Sequence, residues 1–254
     1  MKKILSLIGL SSILLPAVFI TSAMAQAPRG QSTGWTWGLG VAASQDVYTD
    51  FDSRVIPIPI VGYIGERLRV SGPFIGYQVY QQGAVTIDAQ LVPIFAGYDE
   101  DDSSVFEGMD DRDFSYGAGA SIRYSHSGVN YALSANADIL DRFNGYQASF
   151  SIGRPVRMGA FTLEPSVALN FQDSNYVDYY YGVLPEEARA FRPAYSADEA
   201  LNTEVKLGVS TPIFFGGMTR FQVGATFYDD SISDSPLTDS DSAFSALLTY
   251  SRFF

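Results

Sequence analysis

From Phe114 to Tyr124 the chain alternates without a break. Phe114, Tyr116, Ala118, Ala120, Ile122 and Tyr124 fall on one face of an extended segment, and Ser115, Gly117, Gly119, Ser121 and Arg123 fall on the other. Successive side chains of a strand point to opposite faces, and the same two-row pattern recurs until the chain ends on Phe254. A strand reads this way when lipid covers one side and a polar interior lies on the other.

The N-terminus supplies a route to a membrane. Lys2 and Lys3 precede an apolar run from Ile4 to Ile20, and Ala23-Met24-Ala25 forms a small-x-small cleavage site. Residues 1–25 are therefore expected to be a secretory signal peptide, 26–33 a short periplasmic leader and 34–254 one barrel domain. No later apolar run is long enough for a membrane helix, so any spanning structure has to be a barrel. Loss of Lys2 and Lys3 takes the net charge from −12 to −14 and leaves Lys206 as the one lysine. Such acidity argues against a nucleic-acid partner, because phosphates are held mainly by positive charge. With no cysteine, thiolate catalysis, cysteine metal sites and disulfides are excluded.

Alternation alone also fits a soluble sandwich, but three features favour a barrel. The segments run about ten to twelve residues, whereas soluble strands cluster near about 5 to 6. Very short turns, such as His126-Ser127-Gly128, alternate with longer acidic loops at Asp99, Asp141, Asp173 and Asp229, as periplasmic turns alternate with extracellular loops. The strand charges Asp88, Arg123, Asp138, Glu164, Glu204, Lys206 and Arg220 all stand on the polar row. A cation facing mid-bilayer costs about 2–4 kcal/mol. These seven residues are a candidate lumen charge network.

The fold expected is all-β, an antiparallel transmembrane β-barrel of a Gram-negative outer membrane. Eleven segments can be counted, yet such barrels normally have an even number. One segment is therefore hidden before Asp99, between Arg54 and Tyr98, where Pro57, Pro59, Gly72-Pro73 and Pro93 break the pattern. Twelve strands are expected, with ten as the alternative. The long extracellular loop at about 173–200 carries Tyr176, Tyr179, Tyr180, Tyr181 and Tyr195, which would serve as contact residues or fold inward to plug the mouth.

Several local stretches carry a family resemblance: Arg54-Val55-Ile56-Pro57-Ile58-Pro59, Ser71-Gly72 to Gly76-Tyr77, Asp99-Glu100-Asp101-Asp102-Ser103, Tyr179-Tyr180-Tyr181-Gly182-Val183 with Pro193-Ala194-Tyr195, and Asp234-Ser235-Pro236-Leu237. In their order and spacing the chain resembles the MipA/OmpV family of outer-membrane proteins over nearly all of its mature length. The resemblance implies an outer-membrane barrel. It also implies two possible roles, a scaffold joining a murein transglycosylase to a peptidoglycan synthase or a porin-like channel. The Tyr-rich loop adds a third possibility, a surface binding module. The terminal Phe254, with Tyr250 before it and Arg252 between, fits the aromatic end by which the barrel-assembly machinery recognises its substrates. Outer-membrane lipid and lipopolysaccharide would surround the barrel.

Enzyme chemistry finds no motif. His126, the one histidine, sits in a turn with no serine and acid at triad spacing. There is no phosphate loop and no His-Glu-x-x-His helix. The acidic run Asp99–Asp102 lacks the glycine and glutamate positions of a calcium loop and reads as a hydrated loop. Neither catalysis nor a cofactor nor a bound metal is expected.

Overall fold

The computed structural model describes residues 33–51 and 53–254. The expected signal peptide and all but the last residue of the expected leader lie outside the described residues. Strands β1 (Gly34–Ser44), β2 (Arg54–Ile64), β3 (Leu68–Ser71), β4 (Phe74–Gln82), β5 (Val85–Ile94), β6 (Ser115–His126) and β7 (Val129–Asp138) form the first half. Strands β8 (Tyr146–Gly153), β9 (Val156–Met158), β10 (Phe161–Gln172), β11 (Ala200–Thr211), β12 (Met218–Phe227) and β13 (Ser242–Phe253) form the second. Neighbours in sequence pair antiparallel, and β1 pairs with β13 to close the sheet.

Twelve staves make the barrel. β8 and β9 are one stave interrupted at Arg154-Pro155, because Gly153 opposite Ser166 and Met158 opposite Phe161 keep a single register against β10. The segment hidden from the sequence is β3. Leu68 to Tyr80 looks like one extended run, but Gly72 at φ +54 folds it into a four-residue β3 and its partner β4. Glycine takes such a φ at no steric cost. With twelve staves, the start of β1 and the end of β13 lie on the side of the short turns.

The two rows separate as the alternation requires. Leu39, Leu133, Val167, Val205, Phe221 and Leu248 stand exposed around the outside, and the registers keep them beside one another, as in Leu133 opposite Ile122 and Phe150. A continuous apolar belt of this size is not stable in water, but hydrocarbon covers it at no such cost. Aromatic side chains mark the belt's lower edge, where Trp35 packs edge-on to Tyr63 at 5.4 Å and Trp37 to Tyr250 at 6.1 Å. Rings with one polar end settle at the headgroup level.

The hydrophobic core lies above the barrel rather than inside it. Val47, Tyr48, Tyr98, Phe106, Met109, Phe143, Tyr176, Val177, Tyr180, Tyr181, Ile232 and Leu237 form one buried cluster. They come from all five long loops on the extracellular side. Polar side chains line most of the barrel interior, where Ala42, Leu247 and Ile58 form a small second cluster, so the loops hold the larger place where apolar groups leave water by packing on each other.

Candidate functional site: a capped and charge-paired lumen

The lumen charges form two sets on different parts of the wall. On one, Asp88 of β5 lies 2.6 Å from Arg123 of β6 and 3.6 Å from Arg69 of β3. On the other, the Lys206 ammonium donates to Glu204 at 2.7 Å within β11, and Arg220 of β12 donates to Glu164 of β10. Glu204 is 0% and Lys206 3% exposed. Buried ions persist only with partners this close. Asn170 and Ser149 extend the second set, with Ser149 donating to Asn170 at 2.7 Å.

Six of the seven expected lumen charges therefore occur in pairs. The exception is Asp138. It ends β7, where the stave gives way to a loop, and its carboxylate accepts the amides of Leu140, Arg142, Phe143 and Asn144 at 2.7–3.0 Å and the Ser115 hydroxyl. It shapes a loop and takes no part in the lumen pairs. Arg69, absent from the expected set, belongs to it, because the hidden turn at Gly72 had obscured which row it occupies.

The expected contact tyrosines are mostly core residues. Tyr176, Tyr180 and Tyr181 are buried on the helix Ser174–Tyr181, which starts where the Asp173 carboxylate accepts the Tyr176 amide at 3.0 Å. A side-chain oxygen at this position satisfies an otherwise free N–H of the first turn. Tyr48 stacks on Tyr181 at 5.3 Å and donates to the Tyr180 carbonyl at 3.0 Å, and Tyr98 stacks on Phe106 at 3.8 Å. Tyr179 and Tyr195 are half-buried against the same cluster. Their apolar rings pack better against rings from four other loops than against water, so this loop turns inward.

Two arginines that sequence reasoning passed over lock the cap. Arg112 donates from Nη2 to both carboxylate oxygens of Glu187 at 2.9 Å and from Nε to the Tyr179 carbonyl at 2.9 Å. Arg192, fully buried, donates to the carbonyls of Val105, Glu107 and Glu187. Arg112 sits among acidic loop residues that look solvated in sequence, and Arg192 lies within the long Tyr-rich loop. Below the cap, Tyr176 and Tyr228 roof a cavity of about 90 Å³ lined by Gln90, Asn136, Asn170 and Asn202.

Burial pushes the phenols of Tyr48, Tyr98, Tyr176, Tyr180, Tyr181 and Tyr228 well above 10.0. A raised folded-state value means that the stability from keeping these phenols protonated is whole below pH 10 and is lost as the pH climbs toward the folded values. Burial would also raise the Glu187 carboxyl, but the amides of Leu184 and Asp110 and the Arg112 guanidinium hold it below 4.5. Its contribution is present above pH 4.5 and lost as the pH falls through the lower folded value. An alkaline titration should show the six phenols ionising only as the 173–199 loop becomes open to protease. Ionisation with the loop still protected would contradict this packing.

A family model described as MltA-interacting protein MipA matches residues 37–254. The chain belongs to the MipA family. The putative outer membrane protein YiaT of Escherichia coli K12 is 27% identical over 82% of this chain and 85% of its own. The MltA-interacting protein of the same strain is 26% identical over 80% and 83%. Outer membrane protein OmpV of Vibrio cholerae is 25% identical over 94% and 95%. Among solved structures, the CymD monoaromatic hydrocarbon channel aligns with 96% of this chain and 94% of its own, at 12% identity and a TM-score of 0.43. The NanC porin aligns with 86% and 99%, at 9% and 0.42. This MipA-family member is an outer-membrane β-barrel of a Gram-negative cell, with a locked cap above and paired charges within.

At the opposite end, the MipA-family chain makes its longest short-side turn between β11 and β12. There Ile213, Phe214 and Phe215 are all exposed, Phe215 at 85%. Tyr250 donates to the Phe215 carbonyl at 2.9 Å, which ties the turn to the last strand. Phe254 is exposed beside the same rim, with its amide donating to the Trp35 carbonyl at 3.1 Å.

Proposed function

We propose that the protein is a closed outer-membrane anchor whose periplasmic rim docks a murein transglycosylase, and through it a peptidoglycan synthase. The observation that carries this reading is the turn Ile213-Phe214-Phe215, three apolar side chains in a row held out below the aromatic girdle. Large exposed apolar side chains clustered at one place mark binding surfaces, and aromatic residues dominate the energetics of such contacts. The name of the relative called MltA-interacting protein agrees with a transglycosylase as the partner. Closure supports an anchor over a free diffusion pore, since the cap covers one end and the lumen ions are spent on each other. Burial of the loop tyrosines leaves few of them for surface adhesion.

The double variant Phe214→Ser/Phe215→Ser tests the reading. Its affinity for the purified murein transglycosylase of the same cell, measured in detergent, should fall at least tenfold, which corresponds to about 1.4 kcal/mol. The barrel should keep its heat-dependent shift in gel mobility. Unchanged affinity would remove this turn as the docking point.

A further inference from the structure

Unpaired positive charge on this acidic chain gathers at the short-turn rim. The long loops on the opposite side carry most of the 28 acidic residues, whereas Glu66 is the one acidic side chain in the short turns. Against it stand Arg67 in the turn between β2 and β3, Arg154 and Arg157 on the lower part of the β8 and β9 stave, and Arg252 near the end of β13, all of them exposed. Among the described residues none of these four pairs with a carboxylate. The lumen carboxylates on the lower wall are already committed, Asp88 to Arg69 and Arg123 and Glu164 to Arg220.

Two of these arginines flank the apolar turn between β11 and β12. On one side the Arg252 guanidinium lies 3.5 Å from the Phe215 carbonyl, beside the Tyr250 hydroxyl that donates to the same oxygen. On the other, Arg157 stands opposite Thr162 of β10, and Thr162 stands opposite Ser210, one residue before β11 ends at Thr211. Two ladder steps place Arg157 about 10 Å from the start of the turn. Phe215 itself has φ +50, a backbone region that is costly for a bulky side chain. Its ring sits edge-on to Tyr250 at 6.3 Å. The last strand therefore holds the turn in a strained shape that presents Phe215 to water between two cations.

An apolar centre with a polar border is the layout of a specific protein contact. Arginine fits such a border because its planar fork meets a carboxylate through two parallel bonds. The barrel does not need these side chains, since the ladder closes through backbone bonds from β13 to β1. Lipid headgroups do not explain them all either. Residues directly opposite one another share a face of the sheet, and Thr162 stands two residues from Glu164 on the lumen row, so Arg157 faces the mouth of the barrel and not the belt.

We infer that the partner docked at this rim presents carboxylates around an apolar pocket, with Phe214 and Phe215 filling the pocket and Arg157 and Arg252 meeting the carboxylates on its two sides. Arg154, on the same stave as Arg157, extends the positive border. The inference rests on the proposed docking of a murein transglycosylase and adds the surface chemistry that the docked face must have. The two parts of the contact act at different stages. Charges at a border steer the encounter and set its salt dependence, whereas buried aromatic side chains hold the formed complex. The arginines therefore govern the association rate and the phenylalanines the dissociation rate.

Binding kinetics of the purified protein and the transglycosylase of the same cell, in a neutral detergent at about 0.05 M and about 0.5 M NaCl, test this. At low salt Arg157→Gln/Arg252→Gln should associate about fivefold more slowly than the parent. At high salt the two should converge, and their dissociation rates should match throughout. Arg154→Gln/Arg157→Gln leaves the terminal strand intact and should be slowed in the same way, so poor assembly of the Arg252 variant does not decide the result. Association at the parent rate in both Gln pairs overturns the inference, and it is also the result expected if the arginines serve only anionic headgroups. If Phe214→Ser/Phe215→Ser still dissociates faster in that case, the docking turn stands without the charged border. Slow association of the Gln pairs with no effect of the phenylalanine pair removes the turn and leaves the arginine face as the contact. A parent protein that does not bind the transglycosylase overturns both.

Discussion

Replacing Arg192 with alanine is expected to release the extracellular cap while the barrel stays folded. The guanidinium is fully buried and donates to the carbonyls of Val105, Glu107 and Glu187. These carbonyls lie in two different loops, and the aromatic cluster between the loops depends on their staying together. Each buried carbonyl left without a donor costs about 1–3 kcal/mol. The two in buried contacts, those of Val105 and Glu187, together remove on the order of 2–6 kcal/mol from a unit built only of loops. The twelve-stave ladder does not share this loss, because none of the three carbonyls belongs to a stave. Proteolysis should therefore cut the 173–199 segment at least tenfold faster in Arg192→Ala, while the gel shift between boiled and unboiled protein persists. The exposed Arg157→Ala should change neither. Equal protection of Arg192→Ala and the parent would show that the cap does not depend on this side chain.

Lys206→Met acts on the barrel itself. Lys206 and Glu204 are 3% and 0% exposed and 2.7 Å apart, so removing the cation leaves a carboxylate in the wall with its main counter-charge gone. Breaking a buried pair in this way costs about 3–5 kcal/mol, whereas replacing both members by uncharged groups of similar size is often nearly neutral. The urea midpoint of Lys206→Met in detergent should fall clearly. Adding Glu204→Gln should restore most of the difference. If the double variant is as unstable as the single one, the loss comes from packing and the pair is not what stabilises this part of the wall.

The staves were legible where the period of two was clean. β6, β7 and β10 could be placed within a residue or two because apolar and polar rows never cross in them. β3 was not legible, since a four-residue strand followed by Gly72-Pro73 looks like an irregularity within a longer one. Only the even-number requirement pointed to it. Asp138 obeyed the alternation but stands at the last position of its strand, where the row no longer says whether a side chain meets the lumen or a loop.

The cap was hidden for a different reason. Whether Tyr176, Tyr180 and Tyr181 face water or each other depends on rings supplied by loops far away in the chain, such as Tyr48 and Phe143. No local pattern carries that information. The locking arginines are hidden by the same distance, because Arg112 meets Glu187 and Arg192 meets Val105 only after the barrel has brought the loops to one rim.

Closure of the lumen is tested most directly by conductance of the purified protein in planar bilayers. The capped, charge-paired barrel predicts a silent membrane for the parent protein and channel openings once Arg192→Ala has released the cap. Steady, reproducible channels from the parent protein would contradict it.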